Sequence, residues 1–157
     1  MCSSDLYGLA TLGLRFFNVY GPRQDPQSPY SGVISKWHGA LIAGAPVRIF
    51  GDGRQTRDFV YVGDIARVNV RALAAPDAGV CNVGTGTSVT LLDMLAFLER
   101  AAGRIADRRH EAGVDGDIRF SATTTERLRE RIGFVPPTGL ESGLRELLAR
   151  SVDRVAE

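Results

Sequence analysis

Two apolar runs constrain this chain more than any other feature. "LGLRFFNVYGP", residues 12 to 22, and "GVCNVG", residues 79 to 84, read as strands covered on both faces. Between them "GDIARVNVRALAA" carries helical spacing and runs to Pro76. Strands of that kind belong to a parallel sheet with helices on both sides. The 157 residues supply too few of either to complete one. The expectation is an α/β chain in which two strands belong to a larger sheet whose other half is missing.

The remaining elements follow from periodicity and punctuation. "VISKWHGALIAG" places Val33, Trp37 and Leu41 at helical spacing and stops at Gly44. "PVRIF" and "DFVYV" read as short strands. "TLLDMLAFLERAAG" opens with Thr90 and Asp93, a capping-box pattern. "GDIRF" reads as a strand, and "TTERLRERIG" as a short helix stopped by Gly133. "TGLESGLRELLARSVDRV" begins with Thr138 and Glu141, a second capping box. It carries Leu140, Leu144, Leu147, Leu148, Val152 and Val155 on one face. The charged "DRRHEAGVDGD" reads as a solvated loop.

Charge narrows the partners. Lys and Arg number 19 against 18 Asp and Glu, a net charge of +1. No broad basic field recruits nucleic acid or an anionic membrane, so any anion site must be local. No apolar run reaches membrane-spanning length. Cys2 and Cys81 lack metal-ligand spacing, and Cys81 reads as a buried thiol of a reducing compartment, the cytoplasm. Residues 1–7 show no periodicity. Cys2 to Leu6 match the translation of a common sequencing adapter, so a non-native start to a truncated chain is expected.

Few stretches carry chemistry. "GDGRQTRDF", residues 51 to 59, has two readings. It is a tight turn of a hairpin, or it is an anion hook in which Arg57 presents a planar fork to phosphate and Asp58 steadies it. "NVGTGTSVT" offers Gly84 and Gly86 for a dinucleotide-binding turn, but Val89 occupies the third glycine's place. A strand-to-helix turn capped by Thr90 fits better. His38 and His110 have no nucleophile or carboxylate at a telling distance and read as structural.

Taken in order, "LRFFNVYGPRQDP", "SGVISKW", "FGDGRQTRDFVYVGDIA", "CNVGTGTSVTLLDML" and "GDIRF…LRERIGFVP" resemble the C-terminal half of the extended short-chain dehydrogenase/reductases. Within that family the chain is most similar to the NAD-dependent UDP-sugar 4-epimerases. The resemblance covers roughly residues 8 to 150. It implies the C-terminal part of a Rossmann-type parallel sheet plus a smaller α/β substrate-binding domain. Residues 8–22 and 58–85 would belong to the former, and 23–57 and 86–157 to the latter. The family's Tyr-x-x-x-Lys pair and glycine-rich NAD loop lie upstream. No tyrosine here has a lysine four residues later, so no catalytic residue is assigned and the isolated chain is expected to be inactive. NAD is expected as cofactor, bound mainly by the missing half. A UDP-sugar is the expected substrate, and the full-length protein is expected to be a homodimer. A nucleotide-sugar dehydratase or decarboxylase, or a non-catalytic nucleotide-sugar-binding remnant, is the alternative.

The resemblance also implies site residues. Asn18 corresponds to the asparagine near the substrate diphosphate, and Phe16 and Val19 approach the nicotinamide. Gly32 and Val33 begin a helix beside the nucleotide. Arg48 and Phe50 border the uracil, Arg57 holds the diphosphate and Asp117 accepts from the ribose hydroxyls. Ser121 stands beside the sugar's 2-position, where a small residue leaves room for an N-acetyl group. Two positions depart from the pattern. Val114 replaces a second diphosphate arginine, for which Arg109 or Arg119 would have to compensate, and Thr124 replaces an aspartate.

Overall fold

The computed structural model describes residues 7–28, 31–75 and 78–152, with no side chains described for 151 and 152. Residues 1–6, and with them the adapter-like start, lie outside the described residues, as do Pro76 and Val155. In chain order the elements are β1 (Leu12–Phe16), β2 (Asn18–Tyr20), α1 (Val33–Ala43), β3 (Val47–Phe50), β4 (Thr56–Arg57) and β5 (Phe59–Tyr61). There follow α2 (Val62–Ala72), β6 (Gly79–Val83), β7 (Val89–Thr90), α3 (Leu91–Ala102), β8 (Arg108–Glu111), α4 (Glu126–Ile132) and α5 (Leu140–Val152).

The strands pair two by two. β1 runs parallel to β6, with Leu12 opposite Gly79 and Phe16 opposite Val83. β2 runs parallel to β5, and β3 parallel to β8. β4 and β7 pair antiparallel. The single strand expected over 12–22 is therefore broken at Phe17. Its first part pairs with β6 and its second with β5, and the Phe17 amide bonds Val83 O at 3.0 Å across the break.

β5 separates two apolar clusters by its period-two alternation. Phe59 and Tyr61 join Tyr20, Ile34, Trp37, Leu41, Val47, Ile49, Met94, Leu95, Leu98, Leu144 and Leu147 in one. Val60 points the other way, into a cluster with Ile65, Val68, Cys81, Val83, Leu128 and Ile132. Cys81 is buried and free, as its apolar setting predicts.

Caps set the helix ends. Thr90 Oγ1 accepts from the Asp93 amide at 3.0 Å and donates to the Asp93 carboxylate at 2.7 Å, so Thr90 caps the helix and Asp93 answers through the hydroxyl. α1 and α4 end at Gly44 and Gly133, both left-handed, with φ of 66° and 62°. The second capping box fails. Thr138 gives its amide to the buried Asp64 carboxylate at 2.9 Å, and α5 starts at Leu140. α2 stops at Ala72, ahead of Pro76.

Three further expectations are corrected. "GDIRF" is no strand: residues 116–120 form a loop with one bridge from Phe120 to Thr56. Within the expected loop "DRRHEAGVDGD", Arg108–Glu111 is β8, because β3 offers it a parallel edge. The hairpin reading of residues 51–59 also falls. β3 and β5 pair with other strands, and the turn feeds β4 onto β7 instead.

Candidate functional site

A cleft of about 730 Å³ lies between α1, the β3–β4 connection and the loop after β8. α1 contributes Val33, Lys36, Trp37 and Ala40, spaced as one helical face. β3 contributes Arg48 and Phe50, on the pleat face opposite the buried Val47 and Ile49. The loop after β8 adds Val114, Asp115, Gly116 and Asp117, while Asn18, Gln55 and Arg57 line the cleft from β2, the turn and β4.

Six of the eight expected substrate contacts thus meet in one place: Asn18, Val33, Arg48, Phe50, Arg57 and Asp117. Gly32 caps α1 between Ser31 and Val33, both cleft-lining. Ser121 lies beyond the lining and gives its amide to Thr56 O at 3.2 Å. Phe16, 44% exposed, and Val19 lie outside it too, among strands β1 and β2.

Arg57 is held by the carboxylate of Asp117, Nη2 to Oδ1 at 2.6 Å, and by the carbonyls of Thr56 and Ile118. This corrects the role expected of Asp58, which faces away from Arg57. Asp58 is fully buried, and its carboxylate accepts from the Thr85 amide, the Thr85 hydroxyl and the Gly86 amide. Asp58 lies between the end of β4 and the start of β5, with its carboxylate turned to the loop after β6 and Arg57 turned to the loop after β8.

The same contacts decide what the "GTGTS" loop can hold. The Thr85 and Gly86 amides are already taken by the Asp58 carboxylate, and the Thr87 amide by the Thr85 hydroxyl. A Cβ at Gly84 would sit 2.6 Å from Asp58 Oδ2 and 2.3 Å from Thr123 Cγ2. The loop is a closed nest for Asp58 and not a cradle for a dinucleotide's phosphates.

Other charges are spoken for. Arg48 makes a two-pronged pair with Glu111 at 2.5 and 2.6 Å, which lowers the Glu111 carboxyl below its ordinary value. Arg119 grips Asp52 at 2.6 and 2.8 Å and holds that carboxyl far below the usual carboxylate range. Arg109 pairs with Asp107 at 3.2 Å. Neither Arg109 nor Arg119 lines the cleft, whereas Val114 does.

Three cleft residues escaped sequence reasoning. Trp37 is 4% exposed and donates Nε1–H to Arg48 O at 2.9 Å, which seats the strand against the helix. Lys36, on the same helical face, brings a cation. Gln55 donates to Phe50 O and to Asp117 Oδ2, both at 3.1 Å. The α1 spacing signalled Trp37 and Lys36, whereas nothing in the spacing marks Gln55. Among the described residues no group of His, Cys, Asp and Glu forms a metal site. Among the described residues the cleft lining includes no thiol, histidine or tyrosine.

The sequence profile of the NAD dependent epimerase/dehydratase family matches residues 3–84, more than half of the chain. The chain belongs to that family. UDP-glucose 4-epimerase of Mycolicibacterium smegmatis is 36% identical over 141 residues, covering 89% of this chain and 45% of that protein. The epimerase/dehydratase fold is shared with solved structures. UDP-glucose 4-epimerase of Thermotoga maritima with UDP-glucose superposes with a TM-score of 0.91 at 34% identity, over 97% of this chain and 49% of that one. UDP-N-acetylglucosamine 4-epimerase of Methanobrevibacter ruminantium, in complex with UDP-N-acetylmuramic acid, gives 0.90 at 36% identity, over 96% and 49%. The chain spans about half the length of the relatives it matches. Among the described residues no helix is long and apolar enough to cross a membrane.

Proposed function

We propose that this chain is the C-terminal, nucleotide-sugar-holding half of an NAD-dependent UDP-sugar 4-epimerase. The gathering of Arg57, Asp117 and Asn18 with Phe50 and Trp37 around one cleft carries this reading. Arg57 supplies the fork for a diphosphate, Asp117 an acceptor for ribose hydroxyls, and the β3 main chain an edge for the base. In the family reaction the nucleotide stays anchored while a 4-keto sugar turns, and hydride returns from reduced NAD to the other face. Anchoring is the part these residues perform. Proton and hydride transfer fall to the upstream half, where the NAD loop and the Tyr-x-x-x-Lys pair lie in this reading. Phe16 and Val19 would meet the nicotinamide from this side.

The test is a pair of measurements on the chain itself. Titration with UDP-glucose should show binding, and incubation with UDP-glucose and NAD should give no UDP-galactose. Turnover by the chain alone would overturn the division of labour.

Ser121 and the similarity to a UDP-N-acetylglucosamine epimerase favour an N-acetylhexosamine substrate. In a chain carrying both halves, Ser121→Tyr should cost activity on N-acetylated sugars first. Equal loss on both substrate types would contradict that assignment.

A further inference from the structure

Another cavity, about 280 Å³, opens at the end of the β2–β5 pair away from Asn18. Three arginines from three separate segments line it: Arg23 from the loop after β2, Arg67 from α2 and Arg150 from α5. Tyr61, Thr138 and Glu146 complete its polar wall. Two carboxylates answer the three cations. Asp64, fully buried, holds Arg67 Nη1 at 3.1 Å, and Glu146 holds Arg150 Nη2 at 3.1 Å. Each of these contacts engages one nitrogen of a guanidinium that carries five N–H donors, so the carboxylates orient the forks and leave donors over. The Arg23 side chain has no ion pair or hydrogen bond among the described residues, and neither has the Thr138 hydroxyl. Arg23 is also the one non-glycine residue among those described with a left-handed backbone, at φ of 72°.

The cavity thus holds one cation in excess, with unused donors around it, at a concave surface that concentrates their field. Only an anion answers such a set. One arginine fork suffices for a planar carboxylate, whereas forks from three directions suit a tetrahedral group with an acceptor oxygen for each. Size narrows the ligand further. The volume falls below the roughly 300–1,000 Å³ of pockets that take drug-sized ligands, so it admits one oxyanion with a short substituent and no nucleotide. We propose that this cavity binds phosphate or a small phosphate monoester, with Arg23 as its principal partner and Arg67 and Arg150 on the remaining oxygens. The site shares no lining residue with the cleft, and the proposal does not rest on the reading of the cleft. A bound anion joins the loop after β2, the first turns of α2 and the end of α5, and so stabilises the fold by linkage.

The experiment is a calorimetric titration of the chain with inorganic phosphate and with glycerol 3-phosphate at constant ionic strength, repeated on Arg23→Gly, Arg150→Gln and Arg57→Ala. Glycine adopts a φ of 72° freely, so Arg23→Gly removes the guanidinium without straining the loop. Arg23→Gly and Arg150→Gln should each weaken binding by roughly tenfold or more. Arg57→Ala, in the cleft, should leave it within about twofold. Whichever ligand binds more tightly tells whether free phosphate or an ester is the natural source. Binding that is lost in Arg57→Ala and kept in Arg23→Gly would place the anion in the cleft and overturn the proposal. So would an unmodified chain that binds neither ligand, or that binds phosphate no better than chloride. Thermal melts give a second reading. Phosphate should raise the melting temperature of the unmodified chain and of Arg57→Ala, but not that of Arg23→Gly. An equal rise in all three would overturn the proposal as well.

Discussion

Asp58 is fully buried beside a loop it holds shut with one carboxylate. Its removal leaves the donors of Thr85 and Gly86 unpaired, so Asp58→Ala should cost about 3 kcal/mol, read from chemical denaturation. Loss of less than about 1 kcal/mol would mean water replaces the carboxylate. His38 makes a different prediction. Burial lowers its pKa from 6.5, and its Nε2 is buried without a partner. The unfolded chain therefore binds a proton more readily than the folded one. The stability His38 contributes is present above pH 6.5 and is lost as pH falls through the window below it. The melting temperature should drop between pH 7 and 5, and His38→Leu should flatten that slope. The paired carboxyls act lower down. Glu99 falls below its ordinary 4.5 because Arg108 and the Ala106 amide outweigh the upward push of burial. Its contribution is present above about pH 4.5 and fades in more acid solution, outside the His38 window.

At the scale of elements, local signals carried far where the chain determines its own structure. Helix α3 was legible because Thr90 and Asp93 cap it without outside help, and Thr90→Ala should cost about 1 kcal/mol in the same denaturation assay. Gly44 and Gly133 likewise announced their helix ends. The failures share one cause, a partner far away in sequence. Arg108–Glu111 becomes a strand only because β3 presents a parallel edge, and its charged residues hide it from pattern reading. "GDIRF" has strand composition, yet one bridge to Thr56 is all the pairing it finds. Thr138 has a capping spacing, but Asp64, on another helix, takes its amide first. In the site, Asn18, Arg57 and Asp117 were found through ordered motifs. Gln55 was not, because its meaning lies in contacts made after folding.

For the whole molecule, the unusual feature is the apolar surface. Phe16, Val70, Leu73 and Val80 are 44%, 67%, 89% and 42% exposed, on or beside the strands and helix expected to join a larger sheet. Apolar area left in water at about 25 cal/mol per Å² favours association. The chain should self-associate with rising concentration in sedimentation experiments, and Val70→Lys combined with Leu73→Glu should reduce it. A sharp cooperative melt of a stable monomer would count against this. The account as a whole stands on the cleft as an anchor for a nucleoside diphosphate. The decisive measurement is a titration of the chain with UDP and with uridine, repeated on Arg57→Ala. The account predicts that UDP binds much more tightly than uridine, and that Arg57→Ala weakens UDP by roughly 10- to 100-fold while leaving uridine nearly unchanged. Equal affinity for UDP and uridine, or UDP binding indifferent to Arg57, would contradict it.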